Sequence, residues 1–159
     1  MENTVQNIRR WLHFFIIMLV ISGLTAIPLQ SELEWACRFF PPGSIIGNWL
    51  DQVRLALRDT NARYPFLAYG YDWLAFAHFA IAILIAGIRK DPVRNKWVLE
   101  FAFYTSLLII PYALVAGHFR GIPLWWRLVD CSFGIFGLVP LLICLRQVHH
   151  LESLNSNTA

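Results

Sequence analysis

Five ionisable residues are spaced so that they could build one polar site. Asp72 opens an apolar run and His78 follows it. His118 precedes the last apolar run, and Arg127 and Asp130 stand near the start of that run. Residues three apart share a helix face, so Arg127 and Asp130 can pair. At the usual helical rise His78 falls about 9 Å along the axis from Asp72. Carboxylates, imidazoles and a guanidinium in one place can orient a polar end group or hold a charge. An ionisable side chain at membrane depth costs roughly 2.5–3.5 kcal/mol to insert, so such a cluster calls for partners. A purely structural reading stands beside this one. Arg127 and Asp130 then form a local ion pair, Asp72 caps a helix at its positive dipole end, and the histidines make ordinary hydrogen bonds. Glu100 also has a local explanation, as a partner for Lys96 four residues earlier.

The elements that must position these residues are apolar helices. The chain has 159 residues, of which 57% are apolar and 14% charged. Soluble domains run about 45–50% apolar and about 25% charged, and the mean hydropathy of +0.52 points to lipid. So much apolar mass excludes a disordered chain, and three cysteines exclude a disulfide scaffold. A net charge of +3 with no basic stripe gives no footprint for nucleic acid. The length suits one domain.

Four runs qualify as spans: residues 11–29, 73–88, 97–117 and 122–145. The first carries no charge and would cover roughly 28 Å, close to a hydrocarbon core of about 30 Å. It exceeds the usual apolar region of a signal peptide and lacks a small-x-small cleavage site, so it is expected to stay as a span. Pro111 and Pro140 are acceptable in membrane helices, where neighbours satisfy freed carbonyls. Trp11, Trp73, Trp97, Trp125 and Trp126 fall at span ends, as interfacial anchors do. Small residues (Ser22, Gly23 and Ala26, then Ala75, Ala82 and Ala86, then Gly134 and Gly137) mark expected helix contacts.

Arg9, Arg10, Arg89, Lys90, Arg94, Lys96 and Arg146 fall on one side of a four-span chain. The short loops among them weigh most, which predicts a multi-pass protein of the cell membrane with both termini cytoplasmic. Residues 30–71 then form a long outer loop, broken at Pro41-Pro42-Gly43. Beyond the break, Ile46, Trp49, Leu50, Val53 and Leu57 recur at helical spacing opposite Asp51, Arg54, Arg58 and Asp59. That pattern predicts an amphipathic helix lying on the outer bilayer surface, or a lid on the bundle's outer end. Residues 152–159 are polar and read as a flexible tail. Spacing leaves a Cys37–Cys131 bridge open, and Cys144 suits a small apolar filler.

The fold expected is therefore all-α: four transmembrane helices as a single polytopic domain, with an amphipathic helix in the first outer loop. The expected function is non-catalytic. The protein would bind an apolar small molecule, or other membrane protein subunits, through an outer-facing polar pocket. Arg127 and Asp130 would organise that pocket, Asp72, His78 and His118 would line it, and Trp49 and Trp126 would close its rim. Neither a metal nor a cofactor is expected on this reading. The sequence holds no nucleotide loop, zincin helix or paired CxxC, and Ser106 and Ser132 are lone hydroxyls that suit bonds to their own helix.

The stretch Arg9-Arg10-Trp11-Leu12-His13-Phe14 leading into an apolar helix resembles the opening of bacterial four-helix membrane b-type cytochromes. The resemblance covers the first helix and part of the second. It implies a redox subunit binding haem b, with His13 ligating one haem and His78 a second. Residues 131–145 contain no histidine, so the opposing ligands would be His149 or His150 for His13 and His118 for His78. A looser likeness of layout is to the emopamil-binding and sigma-2 receptor family, through four spans, a long first outer loop and a proline within the last span. That implies a sterol-like ligand or a lipid isomerase, and it carries over no catalytic residue.

Overall fold

A computed structural model describes residues 2–40 and 42–156, with no side-chain description for 155 and 156. Pro41 of the expected break and residues 157–159 of the expected tail lie outside the described residues. Every described element is helical: α1 (Glu2–Ala26), α2 (Leu29–Phe39), α3 (Ile45–Arg63), a 3-10 turn (Pro65–Ala68), α4 (Tyr69–Ile88), α5 (Lys96–Phe119) and α6 (Leu124–Ser156). Four stretches are long and apolar enough to cross a membrane: Glu2–Ala26, Pro65–Ile88, Lys96–Phe119 and Leu124–Leu154. This is the layout of a multi-pass membrane protein. Large apolar side chains along these stretches face outward, with Ile83 74% and Phe136 65% exposed. Water would penalise that surface by about 25 cal/mol per Å², whereas lipid tails are as apolar as leucine.

The chain divides into two compact units, one of Met1–Ile17 with Ile83–Ala159 and one of Met18–Ala82. In the first, α5 and α6 pack along each other. Val98, Leu99, Ala102 and Ser106 of α5 are buried, as are Cys131, Leu141, Cys144, Val148 and Leu151 of α6. Gly134 permits the approach, since a Cβ there would stand 2.7 Å from the Ser106 carbonyl oxygen. One turn on, a Cβ at Gly137 would meet Ser106 Oγ at 3.2 Å and Phe15 at 3.4 Å.

Both outer helices of this unit run further than their apolar cores. In α1 the buried stripe Ile8, Leu12, Phe15 begins before the charge-free run, and the Cys144 thiol reaches the Ile8 carbonyl at 3.7 Å. In α6 the stripe continues through Val148 and Leu151. The segment read as a tail from Glu152 is helical to Ser156, and Glu152 accepts a 2.8 Å bond from Lys96 Nζ. Lys96 also faces Glu100 at 3.8 Å, as their spacing predicts.

In the second unit a Cβ on Gly23 would meet Phe79 at 2.8 Å and the Ala75 carbonyl oxygen at 3.1 Å, and Ala75 and Ala82 are buried. Residues 30–71 hold an additional helix, α2, that packs on α3, with Leu33 and Leu50 both buried. The start of α3 is well specified. Ser44 Oγ accepts from the Gly47 amide at 2.9 Å, an N-cap worth about 1 kcal/mol. Gly43 takes a positive φ of 105° that disfavours other residues, and its amide donates to Asn48 Oδ1 at 2.8 Å. Asp51 and Arg54 are half-buried and bonded to each other, so they leave the exposed face assigned to them. That hydrogen bond to the Asp51 carboxylate holds the Arg54 guanidinium above its ordinary pKa. Asn61 donates to Gln30 Oε1 at 3.0 Å and Tyr71 donates to Asn61 Oδ1 at 3.1 Å, tying α2, α3 and α4 together.

Candidate polar site at the α5–α6 turn

The geometry of this turn follows from its glycines and proline. Helix α5 closes in a Schellman arrangement. The Gly121 amide bonds the His118 carbonyl at 3.1 Å and the Ile122 amide bonds the Gly117 carbonyl at 2.8 Å. Gly121 supplies the required positive φ of 68°. Pro123 follows, and its carbonyl accepts the Trp126 and Arg127 amides at 3.0 and 3.1 Å, starting α6. The short connection brings the first turn of α6 back against the last turns of α5.

Arg127 exploits that proximity. Its aliphatic stem lies across Gly117, where an added Cβ would stand 2.5 Å from both Cγ and Cδ. Its Nη1 donates to the Leu114 carbonyl oxygen at 3.1 Å. Helix carbonyls have a second lone pair, so this bond costs α5 nothing. Among the described residues, the buried Arg127 Nε has no hydrogen-bond partner, and the same holds for the indole Nε1 of neighbouring Trp125. The rings of Trp125 and Trp126 meet edge to face at 5.4 Å.

The Arg127–Asp130 pair suggested by spacing is not formed, because the guanidinium turns to α5 instead. Asp130 is half-buried and makes no hydrogen bond or ion pair among the described residues. His118 is exposed and its ring meets Phe119 at 5.8 Å. Ser132 bonds its own helix at Val129. The structure thus sets Arg127 against Gly117 and Leu114, and among the described residues it leaves two buried donors and one carboxylate without protein partners.

The remaining predicted residues lie in the other unit. Asp72 is exposed in the first turn of α4. With Tyr69, Trp73 and Phe76 it lines a shallow cavity of about 220 Å³. His78 is half-buried and its Nδ1 bonds the Leu74 carbonyl at 2.8 Å. Trp49 is half-buried and its Nε1 lacks a partner among the described residues.

His13, in α1, likewise bonds the Arg9 carbonyl through Nδ1 at 2.7 Å, and His149 and His150 are exposed on α6. The Cys37–Cys131 bridge left open by spacing is not made. All three cysteines are free, and the Cys131 thiol points to the Ile110 carbonyl at 3.6 Å. Sequence reasoning passed over Trp125 as an interfacial anchor. Its only distinguishing signal was its place one turn before Leu128 and beside Trp126 in the helix start.

Compared with known proteins, the chain matches no family model, no curated protein and no solved structure. The functional reading therefore rests on the residues themselves.

Proposed function

We propose that the chain is a non-catalytic component of the cell membrane, threaded with both termini in the cytoplasm. It binds an apolar small molecule with a polar end, or a membrane partner presenting such a group, at the outer end of α5 and α6. The observation that carries this reading is Arg127 Nε, buried without a partner while Nη1 is held at Leu114. A buried donor left unsatisfied costs about 1–3 kcal/mol, and more when charged. An acceptor atom on a ligand removes that cost. Asp130, three residues on along α6, adds an acceptor for a ligand hydroxyl or amine. Exposed Phe119, Leu124 and Leu128 offer apolar surface for the rest of the molecule. In the outer loop, Trp35 and Phe39 of α2 stay exposed as interfacial aromatics do.

The test is native mass spectrometry of the protein released from mild detergent. Wild-type protein is expected to carry a co-purified amphiphile. Arg127→Gln should reduce its occupancy at least about tenfold, the effect of losing one charged hydrogen bond. Undiminished occupancy in a folded Arg127→Gln protein refutes the assignment.

One observation favours a second reading, a redox subunit that binds haem b. His13 and His78 each donate from Nδ1 to a backbone carbonyl. A neutral ring so held keeps its Nε2 lone pair free, the arrangement that orients metal-bound imidazoles. Protein purified from haem-replete cells then shows a Soret band that His13→Ala or His78→Ala diminishes. A colourless preparation removes this reading.

A further inference from the structure

A second polar feature lies at the opposite end of the first unit. Arg9, Ala86, Arg89 and Lys90 line an open cavity of about 400 Å³, within the range of about 300–1,000 Å³ typical of ligand sites. Three of the four lining residues are cations and none is acidic. The end of α4 would by itself repel an anion, since a helix C-terminus carries partial negative charge. Here two carbonyls of its last turn, and that of Arg89 just beyond, accept hydrogen bonds. The Ala86 and Gly87 carbonyls accept the Arg89 and Lys90 amides at 3.4 Å, and Arg9 Nε donates to the Arg89 carbonyl at 3.1 Å. The nearest carboxylate in sequence, Asp91, accepts the Arg94 amide at 3.0 Å, and Lys96 is engaged by Glu152. Arg89 Nε, by contrast, is buried and has no partner among the described residues. The cavity is thus lined by three cations that form no ion pair among the described residues, one of which carries a buried, unpartnered Nε.

Its position says what kind of anion it meets. Arg9 and Arg10 stand where the apolar run of α1 begins, and Arg89 and Lys90 stand where that of α4 ends. If both helices cross a membrane, these cations sit at the level of the lipid phosphates. We propose that the cavity holds the phosphate of an anionic phospholipid headgroup, with Arg9, Arg89 and Lys90 as its ligands. Basic pockets at the ends of membrane helices recognise such headgroups. The proposal rests on reading α1 and α4 as membrane spans, and it is independent of the site at Arg127.

The test uses the full chain in mild detergent, titrated with dioleoylphosphatidylglycerol or dioleoylphosphatidylcholine and read by native mass spectrometry. The anionic lipid is expected to bind at least tenfold more tightly than the zwitterionic one. Each of Arg89→Gln and Lys90→Gln should weaken the anionic lipid about fivefold, with phosphatidylcholine and the Arg146→Gln protein unchanged. Lys90 is exposed, so its variant reports even if Arg89→Gln unfolds. Inorganic phosphate at equal concentration should not displace the lipid. Displacement by phosphate would identify a free-anion site, and equal binding of the two lipids would identify no headgroup site; either overturns the proposal. A chain that stays monodisperse without detergent contradicts the membrane reading itself. A detergent-dependent chain with no lipid preference contradicts only this site.

Discussion

Replacing Gly134 by alanine places a methyl group 2.7 Å from the Ser106 carbonyl oxygen and 3.2 Å from Ile109 Cβ. Ordinary carbon–oxygen contacts in helix interfaces lie at about 3.3–3.6 Å, so α5 and α6 must separate locally by roughly 0.6–0.9 Å. The oxygen belongs to the backbone and cannot rotate aside. Overpacking of this kind costs about 1–3 kcal/mol, while exchanging glycine for alanine within a helix returns up to about 1 kcal/mol. The expected net loss is about 1–2 kcal/mol. Gly87 provides the opposite case, since a Cβ there meets nothing within 4 Å. Gly87→Ala should therefore be neutral or stabilising by about 0.5 kcal/mol. Reversible unfolding of both variants in mixed micelles reads the difference, which should approach about 2 kcal/mol. If Gly134→Ala is as stable as Gly87→Ala, the close approach of α5 and α6 at Ser106 is wrong.

Gly117→Ala should push the Arg127 stem off α5 and break its bond to Leu114; co-purified amphiphile measured by native mass spectrometry should fall as in Arg127→Gln, with the fold kept. Glu152→Gln should lower stability by at most about 1 kcal/mol, and Glu100→Gln by less, because both ion pairs are partly exposed and Lys96 is 2.8 Å from Glu152 but 3.8 Å from Glu100. Thermal unfolding at low and high salt checks this, since the difference should shrink as salt rises. Ser44→Ala should cost about 1 kcal/mol locally and speed hydrogen exchange of the Gly47 amide at the start of α3, leaving α5 and α6 unaffected.

The four apolar helices were legible because apolar runs of membrane length with so few charges have few alternative uses. Their ends were less so. Ile8, Val148 and Leu151 lie among polar neighbours, and only the packed partner shows that they extend a buried stripe. Helix α2 was hidden by Gln30, Ser31, Glu32 and Glu34, although Leu29, Leu33 and Ala36 keep helical spacing. The choice of Arg127 between Asp130 and Leu114 is set by the room over Gly117, which spacing along one helix does not reveal. Arg9 and Arg89 were visible as topology charges. That they share one cavity depends on a point two turns into α1 meeting the end of α4 across eighty positions of chain.

The threading of the chain can be measured in intact cells with a membrane-impermeant maleimide, using one exposed cysteine at a time in a Cys37→Ser background, since the remaining Cys131 and Cys144 are buried. Asp59, Asp91 and Arg120 are exposed positions between the apolar helices. Asp59→Cys and Arg120→Cys should react from outside, and Asp91→Cys only after the membrane is permeabilised. Labelling of Asp91→Cys in intact cells alongside Asp59→Cys would contradict four crossings.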